Sequence, residues 1–344
     1  MIGVGIIGAG AIAKKAHLPA YKKLSNVKLI AIADIDKKRA EKIAKKFKVK
    51  KVYSDYKKLL ERDDIDFVSI CTPNFLHAPM TIEALKHGKH VFLEKPLATT
   101  LGDAERIVET SEKTGKYVCV ARNFRFVSSI QKAIRHIKTS RFGRLITAKL
   151  TFHSEIPLGW TSSTWFYDEK LSGGGILTDL GEHCIDIMLQ IGGDVTKVSA
   201  MGGDILETMD FETSVVATLE FKTGSIGIID MSWLGASYQQ TLDIFGSGKT
   251  SHIDIWADSY FEYSMKPSIF ALISSSIKKS AKIFLNSMNG YIFNPLPTLH
   301  NRQISQILTN ITSNKKPPGE VHEALKVFKI KEKIQNQLPK KASN

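Results

Sequence analysis

The sequence predicts an N-terminal α/β domain with a doubly wound parallel sheet, followed by an α+β domain with a largely antiparallel open sheet. At 344 residues the chain is too long for one ordinary hydrophobic core and suits two. Its first third alternates short apolar runs with helical patterns, whereas consecutive strands joined by tight turns dominate after Ala121. We therefore expect domains at residues 1–121 and 122–344.

In the first domain, wholly apolar strands alternate with amphipathic helices. Such strands indicate a parallel sheet covered on both faces, because a strand with one solvated face alternates apolar with polar residues. The strands are expected at 4–7, 27–33, 67–71, 90–93 and 117–120, and the helices at 11–24, 37–47, 78–87 and 101–114.

The second domain is expected to begin with a helix and to continue as a sheet. The helix is expected at 129–139 and the strands at 144–152, 195–202, 214–221, 225–233 and 241–245. Thr223-Gly224 is typical of a hairpin turn. The stretch from Gly246 to Thr250 resembles the end of a phosphate-binding loop, but Asp243 stands where that motif needs a glycine, so we interpret it as a second hairpin.

The composition is that of a globular protein, with 43% hydrophobic and 24% charged residues. The net charge is +14, but acidic residues are interleaved with the lysines and no basic–aromatic module is present. We therefore expect an anionic small-molecule ligand rather than nucleic acid. Cys71, Cys119 and Cys184 form no Cys-x-x-Cys pair, and the start of the chain lacks a signal-peptide pattern. These features favour reduced thiols, no metal site and a cytoplasmic location.

A glycine-rich stretch, Gly8-x-Gly10-x-x-Ala13, follows the first strand and opens the first helix. Gly8 permits a tight turn, and Gly10 lets backbone N–H groups approach a pyrophosphate at the helix N-terminus. Ala13 replaces a third glycine, which needs only to be small for helix–strand packing. The cofactor contacts expected in this stretch are Gly8, Gly10, Ala11 and Ile12.

Asp34 ends the second strand, 24 residues after Gly10, close to the spacing of roughly 20 that accompanies this motif. An acidic residue there accepts hydrogen bonds from the adenosine ribose and disfavours a 2′-phosphate. We therefore predict NAD as the cofactor, while Lys37, Lys38 and Arg39, just beyond, keep NADP open. A flavin or another nucleotide on the same fold is the alternative.

Three further stretches carry polar residues next to predicted strand ends or a helix. Residues 71–77 (Cys-Thr-Pro-Asn-Phe-Leu-His) and 93–97 (Leu-Glu-Lys-Pro-Leu) each follow a parallel strand, where ligands bind in this fold. Residues 171–183 contain three glycines before a helix with Asp179 and His183. These two residues are four apart and therefore lie on one helix face.

Together with the glycine-rich stretch, these motifs make the sequence resemble the glucose–fructose oxidoreductase/inositol dehydrogenase/MocA (Gfo/Idh/MocA) family over nearly its whole length. The resemblance implies oxidation or reduction of a secondary alcohol on a sugar, cyclitol or sugar nucleotide with NAD(P). It implies that Lys95 hydrogen-bonds the reacting hydroxyl, that His183 takes its proton, and that Asp179 binds substrate hydroxyls. It further implies a homodimer or homotetramer.

The same resemblance assigns the nicotinamide ribose to Glu94 and to the turn formed by Thr72, Pro73 and Asn74. It also implies a cis bond between Lys95 and Pro96. The chemistry is reasonable by itself, because oxidising an alcohol requires a base such as His183 and a cation such as Lys95 that stabilises developing alkoxide charge. Taken singly, a histidine after a glycine run is more often structural than catalytic, and Lys95 is compatible with a surface charge. Their order and context together favour the catalytic interpretation.

Other candidates have structural alternatives of similar weight. Arg122, Asn123 and Arg125 follow the last strand of the first domain and are candidates for substrate contacts or for ordinary ion pairs. Trp160, Trp165 and Tyr167 are candidates for a wall of the sugar site or for core packing. The family often has an arginine after this tryptophan, whereas Trp165 is followed by Phe166. His17 and His77 are candidates for cofactor contacts, and a structural role is favoured for Asp186.

The stretch from Ser264 to Met288 has apolar residues at helical spacing with lysines elsewhere. We favour a helix that packs on the sheet or at a subunit interface. A basic amphipathic helix touching a membrane surface or a lipid-linked glycan is the alternative.

The function predicted from the sequence is direct hydride transfer between a nicotinamide and a sugar, cyclitol or sugar-nucleotide alcohol. Three alternatives share this architecture: a dihydrodiol or biliverdin reductase type, a glycosidase that recycles bound NAD, and a non-catalytic dinucleotide sensor. Asp179 and His183 favour polyol chemistry over the first, and Lys95 with His183 argues against the last. Net NADH formation separates the dehydrogenase from the glycosidase.

Overall fold

The chain forms two compact units. The computed structural model describes residues 1–155, 164–207, 209–264, 277, 280, 281, 284 and 296–339. Unit 1 comprises Met1–Asn123, Ser163–Gly173 and Leu296–Lys329, and unit 2 comprises Phe124–Ser162, Gly174–Pro295 and Ile330–Asn344.

The α-helices of the described ranges lie between the strands and at the end of the chain. They are α1 Leu18–Lys22, α2 Lys37–Phe47, α3 Lys57–Leu60, α4 His77–Lys86, α5 Leu101–Thr114, α6 Ser128–Lys138, α7 Glu169–Ser172, α8 Glu182–Gly192, α9 Leu296–Thr312 and α10 Val321–Gln335. Two π-helical turns, Ala13–His17 and Leu177–Gly181, run directly into α1 and α8. None of the described helices combines the length and apolarity needed to cross a bilayer.

Unit 1 is built on a six-stranded sheet in the order β3-β2-β1-β4-β5-β6, and every pairing is parallel. Its strands are β1 Ile2–Ile7, β2 Val27–Ala33, β3 Lys51–Tyr53, β4 Phe67–Ile70, β5 His90–Leu93 and β6 Val118–Val120. The doubly wound sheet is therefore confirmed. Strand β3 was not expected from the sequence, because an edge strand of three residues lacks the continuous apolar run of the central strands.

The order of the strands reverses at β1, with β2 on one side and β4 on the other. A reversal of this kind opens a crevice at the carboxyl ends of the strands, which is where ligands bind in such sheets. The glycine-rich stretch leaves β1 and the turn from Thr72 leaves β4, so both begin at this crevice.

Late helices complete the core of unit 1. Helix α9 buries Ile304, Ile307 and Leu308 in the same cluster as Val4 and Phe92 of the sheet. The first residues of α10 contribute Val321, Ala324 and Phe328 to the cluster on the other side. This division differs from a single cut after Ala121, because the amphipathic pattern of a late helix does not reveal which core receives its apolar face.

Unit 2 contains a seven-stranded sheet in the order β13-β12-β11-β7-β10-β9-β8. Its strands are β7 Leu145–Glu155, β8 Val195–Gly203, β9 Ser214–Phe221, β10 Ile226–Ser232, β11 Leu234–Gly246, β12 Thr250–Asp254 and β13 Ser259–Tyr263. Strands β7 and β10 pair in parallel and every other pairing is antiparallel. The largely antiparallel sheet is confirmed, and so is the hairpin after Gly246.

One face of this sheet is buried and the other is more open. Leu150 of β7 and Ala217 of β9 are fully or almost fully buried. On the opposite face, Val216 pairs in register with Met201 and Asp230, and Val216 and Met201 are 45% and 78% exposed. The stretch 264–288, expected to form an amphipathic helix, lies largely outside the described residues.

A substitution in α9 should test the contribution of this late helix to unit 1. Ile304 is fully buried, so Ile304→Ala removes apolar contacts and should lower the free energy of unfolding by about 2–5 kcal/mol. Thr309→Ala, on the exposed side of the same helix, is the matched control and should change stability little. Urea denaturation followed by fluorescence measures both, and equal stabilities would contradict the assignment of α9 to this core.

Candidate active site

The glycine-rich stretch forms a tight loop between β1 and the first helical residues. Gly8 has a φ of 94°, and a Cβ at this position would lie 2.5 Å from the carbonyl oxygen of Cys71. Only glycine satisfies both requirements. A Cβ on Gly10 would have no described atom within 4 Å. Packing within the protein therefore does not require glycine at position 10, whereas close approach of a ligand to the backbone does.

The helix that follows begins at Ala11, next to this loop. Ala13 is fully buried, consistent with a small residue where the helix packs on the sheet. The first N–H groups of a helix have no partners within it, and they point toward an anion at its N-terminus. The loop and helix start therefore fit the pyrophosphate of a dinucleotide.

Asp34 directly follows β2 and is held from three sides. Its Oδ2 accepts from the N–H of Ala9 at 2.6 Å, and its Oδ1 accepts from the N–H of Asp36 at 2.8 Å. Arg39 donates from Nη2 to Oδ1 at 2.6 Å and from Nε to Oδ2 at 3.3 Å. The hydrogen bonds to Asp34 raise the pKa of Arg39. The predicted ribose-binding acid therefore forms a bidentate ion pair with Arg39, whose side chain remains 48% exposed.

The turn after β4 has one polar atom that the described residues leave without a partner. Thr72 Oγ1 is buried and accepts or donates no hydrogen bond within the described part of the chain. Asn74 donates from Nδ2 to the carbonyl oxygen of Ser172 at 2.7 Å. Because a buried hydroxyl without a partner is costly, Thr72 fits a contact with a bound cofactor.

His77 connects the turns after β4 and β5. Its Nδ1 lies 2.7 Å from the carbonyl oxygen of Pro96, and its Nε2 lies 3.0 Å from that of Thr72. The ring is buried and each nitrogen faces a backbone carbonyl oxygen, to one of which a neutral ring donates, so the geometry favours a structural role over a cofactor contact. The cis bond between Lys95 and Pro96 is confirmed.

Glu94 and Lys95 follow β5 directly. Oε1 of Glu94 lies 2.6 Å from Nε2 of His17 and 3.1 Å from Nε2 of His300. Burial opposes ionisation of Glu94, but the two hydrogen bonds from the imidazoles outweigh it and hold the pKa of the carboxyl well below its usual value. His17 is thus not placed as a direct cofactor contact. Lys95, the next residue in the chain, is half-buried.

In unit 2, Glu212 hydrogen-bonds the glycine-rich turn that precedes Asp179 and His183. Its Oε1 accepts from the N–H groups of Gly175 at 3.0 Å and Leu177 at 3.1 Å. A Cβ on Gly175 would lie 2.2 Å from the carbonyl oxygen of Glu212, so this glycine is required for the close packing. The carboxylate caps the π-helical turn that carries Asp179, which is half-buried. Burial raises the pKa of Glu212, and these backbone hydrogen bonds partly oppose that shift.

His183 lies in the first turn of α8 and is 6% exposed. Its ring packs edge-on against Phe124, with centroids 4.8 Å apart. Asp179 and His183 are about one turn apart along the helical segment, although a regular α-helix was expected and the structure has a π-helical turn at Asp179. Burial raises the pKa of the neighbouring Cys184 thiol, which disfavours a thiolate nucleophile.

Two buried ion pairs support α8. Arg125 donates from Nε to Asp186 Oδ2 at 2.8 Å, with a second contact from its Nη2 to Oδ1. This arrangement matches the ion-pair alternative for Arg125 and the structural role for Asp186. Lys331 lies 3.7 Å from Glu182 Oε1 and donates to Thr178 Oγ1 at 3.4 Å. Both Lys331 and Glu182 are at most 2% exposed.

The remaining candidates fall in different parts of the chain. Lys95, Arg122, Asn123 and Trp165 belong to unit 1, and Asp179 and His183 belong to unit 2. Arg122 and Asn123 are buried, and Trp165 is half-buried in an edge-on contact with Phe166. Trp160 lies outside the described residues.

Sequence reasoning missed several supporting residues. Glu212, Lys331 and His300 each lie far along the chain from the candidate that they support, and none belongs to a short motif. Ser69 and Tyr21, which form hydrogen bonds next to His17, lie within an apolar strand and a helix. The one available signal was a polar residue inside an otherwise apolar strand, since Ser69 interrupts Phe67–Ile70.

Two family models match the chain in succession. Residues 2–122 match the oxidoreductase family with an NAD-binding Rossmann fold. Residues 130–251 match the GFO/IDH/MocA C-terminal domain.

Two dehydrogenases are similar in sequence to parts of this chain. D-glucoside 3-dehydrogenase from Escherichia coli is 32% identical over 190 residues, covering 55% of this chain and 53% of the relative. The match thus spans about half the length of that protein. Myo-inositol 2-dehydrogenase from Thermotoga maritima is 30% identical over 250 residues, covering 71% of this chain and 72% of the relative.

A solved structure shares the fold over nearly the whole chain. The WlbA dehydrogenase from Bordetella pertussis, in complex with NADH and UDP-GlcNAcA, superposes with a TM-score of 0.81 and 20% sequence identity. The superposition covers 98% of this chain and 96% of that one.

The Asp34–Arg39 pair generates a prediction about the choice between NAD and NADP. We expect NADH to bind more tightly than NADPH, because Asp34 disfavours a 2′-phosphate. Arg39→Ala should lower the affinity for NADPH roughly tenfold, about 1.4 kcal/mol, without weakening NADH binding, because it frees the oxygens of Asp34 for the ribose. Fluorescence titration with both cofactors measures the two affinities.

Lys37→Ala is the control, since the Lys37 side chain is exposed and its Nζ lies 4.0 Å from Glu41 Oε1 on the same helix. It should leave the ratio of the two affinities unchanged. Equal losses of NADH and NADPH affinity in Arg39→Ala would contradict a role for Arg39 in recognising the 2′-phosphate.

Proposed function

Because this chain belongs to the Gfo/Idh/MocA oxidoreductase family, we propose that it transfers a hydride between NAD(H) and a secondary alcohol of a sugar, cyclitol or sugar nucleotide. The observation that carries the proposal is that two models of this family match the chain in succession, over residues 2–122 and 130–251. Within these ranges, the chain has the dinucleotide loop at Gly8 and the candidate residues Lys95, Asp179 and His183.

The residues of unit 1 fit the cofactor. Gly10 leaves the backbone accessible, Thr72 has a buried hydroxyl without a partner among the described residues, and Asp34 ends the strand beside the loop. Bound NAD supplies the hydride acceptor for alcohol oxidation. The chain's own residues must then bind the alcohol, remove its proton and stabilise the developing oxygen charge.

We assign these tasks to three side chains. His183 accepts the hydroxyl proton, and Lys95 donates a hydrogen bond to the oxygen as negative charge develops on it. Asp179 accepts hydrogen bonds from neighbouring substrate hydroxyls. The packing of Phe124 against the His183 ring and the Glu212 cap on the turn of Asp179 support these roles, because both limit side-chain movement.

The names of the relatives support the substrate class. They are dehydrogenases named for a glucoside and for myo-inositol, and the WlbA dehydrogenase was crystallised with a sugar nucleotide. The net charge of +14 favours a negatively charged member of this class, because a basic protein attracts anionic ligands. We also place the protein in the cytoplasm, since its three cysteines are buried free thiols.

The experiment that tests the proposal is a spectrophotometric screen of polyols, sugars and nucleotide sugars for NADH formation. A dehydrogenase forms NADH in proportion to oxidised product. Product from a glycoside without net NADH would favour the NAD-recycling glycosidase instead. Cofactor binding without turnover on any of these classes would favour the sensor.

Substitutions of the two proposed catalytic residues should lower turnover in a folded protein. His183→Ala removes the base and should reduce kcat roughly 10²–10⁴-fold, and Lys95→Ala should be similarly severe because it removes the charge facing the alkoxide. The double variant should be little worse than the poorer single variant, since the residues act as a unit. Steady-state kinetics, NAD affinity and thermal stability are measured together.

His136→Ala is the matched control, because His136 bonds to Tyr260 and has a partly exposed ring. It should retain turnover. Turnover near that of the unsubstituted protein in His183→Ala would refute its assignment as the base, and a collapsed fold would return His183 to a structural role.

The open face of the unit 2 sheet should form a contact between subunits, giving a homodimer or homotetramer. Val216 and Met201 expose apolar surface in register on this face, and a patch of this kind is typical of an interface. Light scattering at micromolar concentration should therefore report an oligomer. Val216→Glu, which also places a carboxylate opposite Asp230, should shift it toward monomer.

Ile205→Glu is the control, because Ile205 is 61% exposed but lies outside the strands. It should leave the molecular mass unchanged. A monomer for the unsubstituted protein would count against the interface.

A further inference from the structure

A continuous chain of buried hydrogen bonds connects Tyr21 to Glu94. The hydroxyl of Tyr21 lies 2.6 Å from Ser69 Oγ, which lies 3.2 Å from Nδ1 of His17. Nε2 of His17 lies 2.6 Å from Oε1 of Glu94, and Nε2 of His300 approaches the same oxygen at 3.1 Å. All five residues belong to unit 1.

The chemistry of the groups fixes the direction of each bond. The ionised carboxylate of Glu94 can only accept, so Nε2 of each imidazole carries a proton. Burial lowers the pKa of His17, although the hydrogen bond to Glu94 opposes this shift. The ring is therefore neutral and its Nδ1 accepts from Ser69, whose oxygen accepts from Tyr21. The Tyr21 hydroxyl, the Ser69 hydroxyl and both nitrogens of His17 are thus satisfied within this chain.

The consequence for Glu94 is that its two oxygens differ. Oε1 receives two imidazole donors, whereas no described residue hydrogen-bonds Oε2. The side chain is 12% exposed, so the carboxylate is not sealed in the core. The carboxylate extends from the end of β5 and is contacted by His17 of the π-helical turn and by His300 of α9, while Ser69 of β4 holds the His17 ring.

We propose that His17 and His300 are positioning residues that hold the Glu94 carboxylate with Oε2 presented to the nicotinamide ribose hydroxyls of bound NAD(H). The proposal rests on the assignment of Glu94 to that ribose. It gives α9, which lies about 200 residues after Glu94 in the chain, a role in cofactor affinity as well as in the core.

Binding measurements with two ligands test the proposal without using turnover, so its failure is distinct from failure of the dehydrogenase assignment. NADH contains the nicotinamide ribose, and ADP does not. His300→Leu should weaken NADH binding roughly tenfold, the lower range for a hydrogen bond to a charged group, and leave ADP binding unchanged. His300→Gln, whose amide nitrogen can donate in place of Nε2, should restore most of the NADH affinity.

Coupling to Glu94 separates positioning from general loosening of the fold. Glu94→Gln should weaken NADH binding by itself, and adding His300→Leu to it should have little further effect, because residues that act through one another are not additive. Asn301→Leu is the matched control on the same helix. Asn301 donates to the carbonyl oxygen of Ala20 at 3.1 Å, so its loss should affect thermal stability and spare the NADH affinity.

Three results would overturn the proposal. The first is an equal loss of NADH and ADP affinity in His300→Leu, and the second is additive losses in the double variant. The third concerns a metal ion, because ligand atoms of His17, Glu94 and His300 lie within 4.8 Å of one another. One equivalent of zinc in the purified protein, lost in His300→Leu, would assign the cluster to metal binding instead.

Discussion

The cofactor side of unit 1 depends on the close approach of Gly8 to the carbonyl group of Cys71. This contact joins the ends of β1 and β4, the strands at which the sheet order reverses. A side chain at position 8 would push the loop away from β4 and move Ala9, whose N–H donates to Asp34. The loop, the acid at the end of β2 and the turn after β4 therefore form one packed arrangement. Gly8 is a requirement of this packing, whereas Gly10 is explained by a ligand that approaches the backbone.

Buried carboxylates support the candidate residues in both units. Glu94, which precedes Lys95, is held by imidazoles. Glu212 caps the turn that carries Asp179. Asp186, one helical turn after His183, pairs with Arg125. An unpaired buried carboxylate costs several kcal/mol, so each of these networks favours one local geometry. Side chains that act on a substrate need such rigid support, because a displacement of about 1 Å lowers catalytic efficiency.

The sequence predicted the features that depend on local pattern. Apolar strands, the glycine loop and the hairpin after Gly246 have short-range signals, and the structure contains them. Strand β3 was missed because it is short and at an edge, and the π-helical turn at Ala13–His17 was missed because apolar spacing does not distinguish it from α-helix. His300 and Lys331 were missed for another reason. Their partners are set by tertiary packing of late helices, which no spacing in the sequence encodes. The roles of Lys95, Asp179 and His183 came from the family resemblance and remain predictions.

Asp34 shows why a motif residue does not by itself determine cofactor preference. A carboxylate has about four acceptor sites, and Ala9, Asp36 and the two nitrogens of Arg39 already donate to this one. Ribose hydroxyls can bind Asp34 only by sharing or displacing the guanidinium, which is half-exposed and therefore movable. A 2′-phosphate would gain the same guanidinium but face the carboxylate. The preference for NAD thus depends on a competition for the oxygens of Asp34, in which Arg39 opposes the ribose as well as attracting the phosphate.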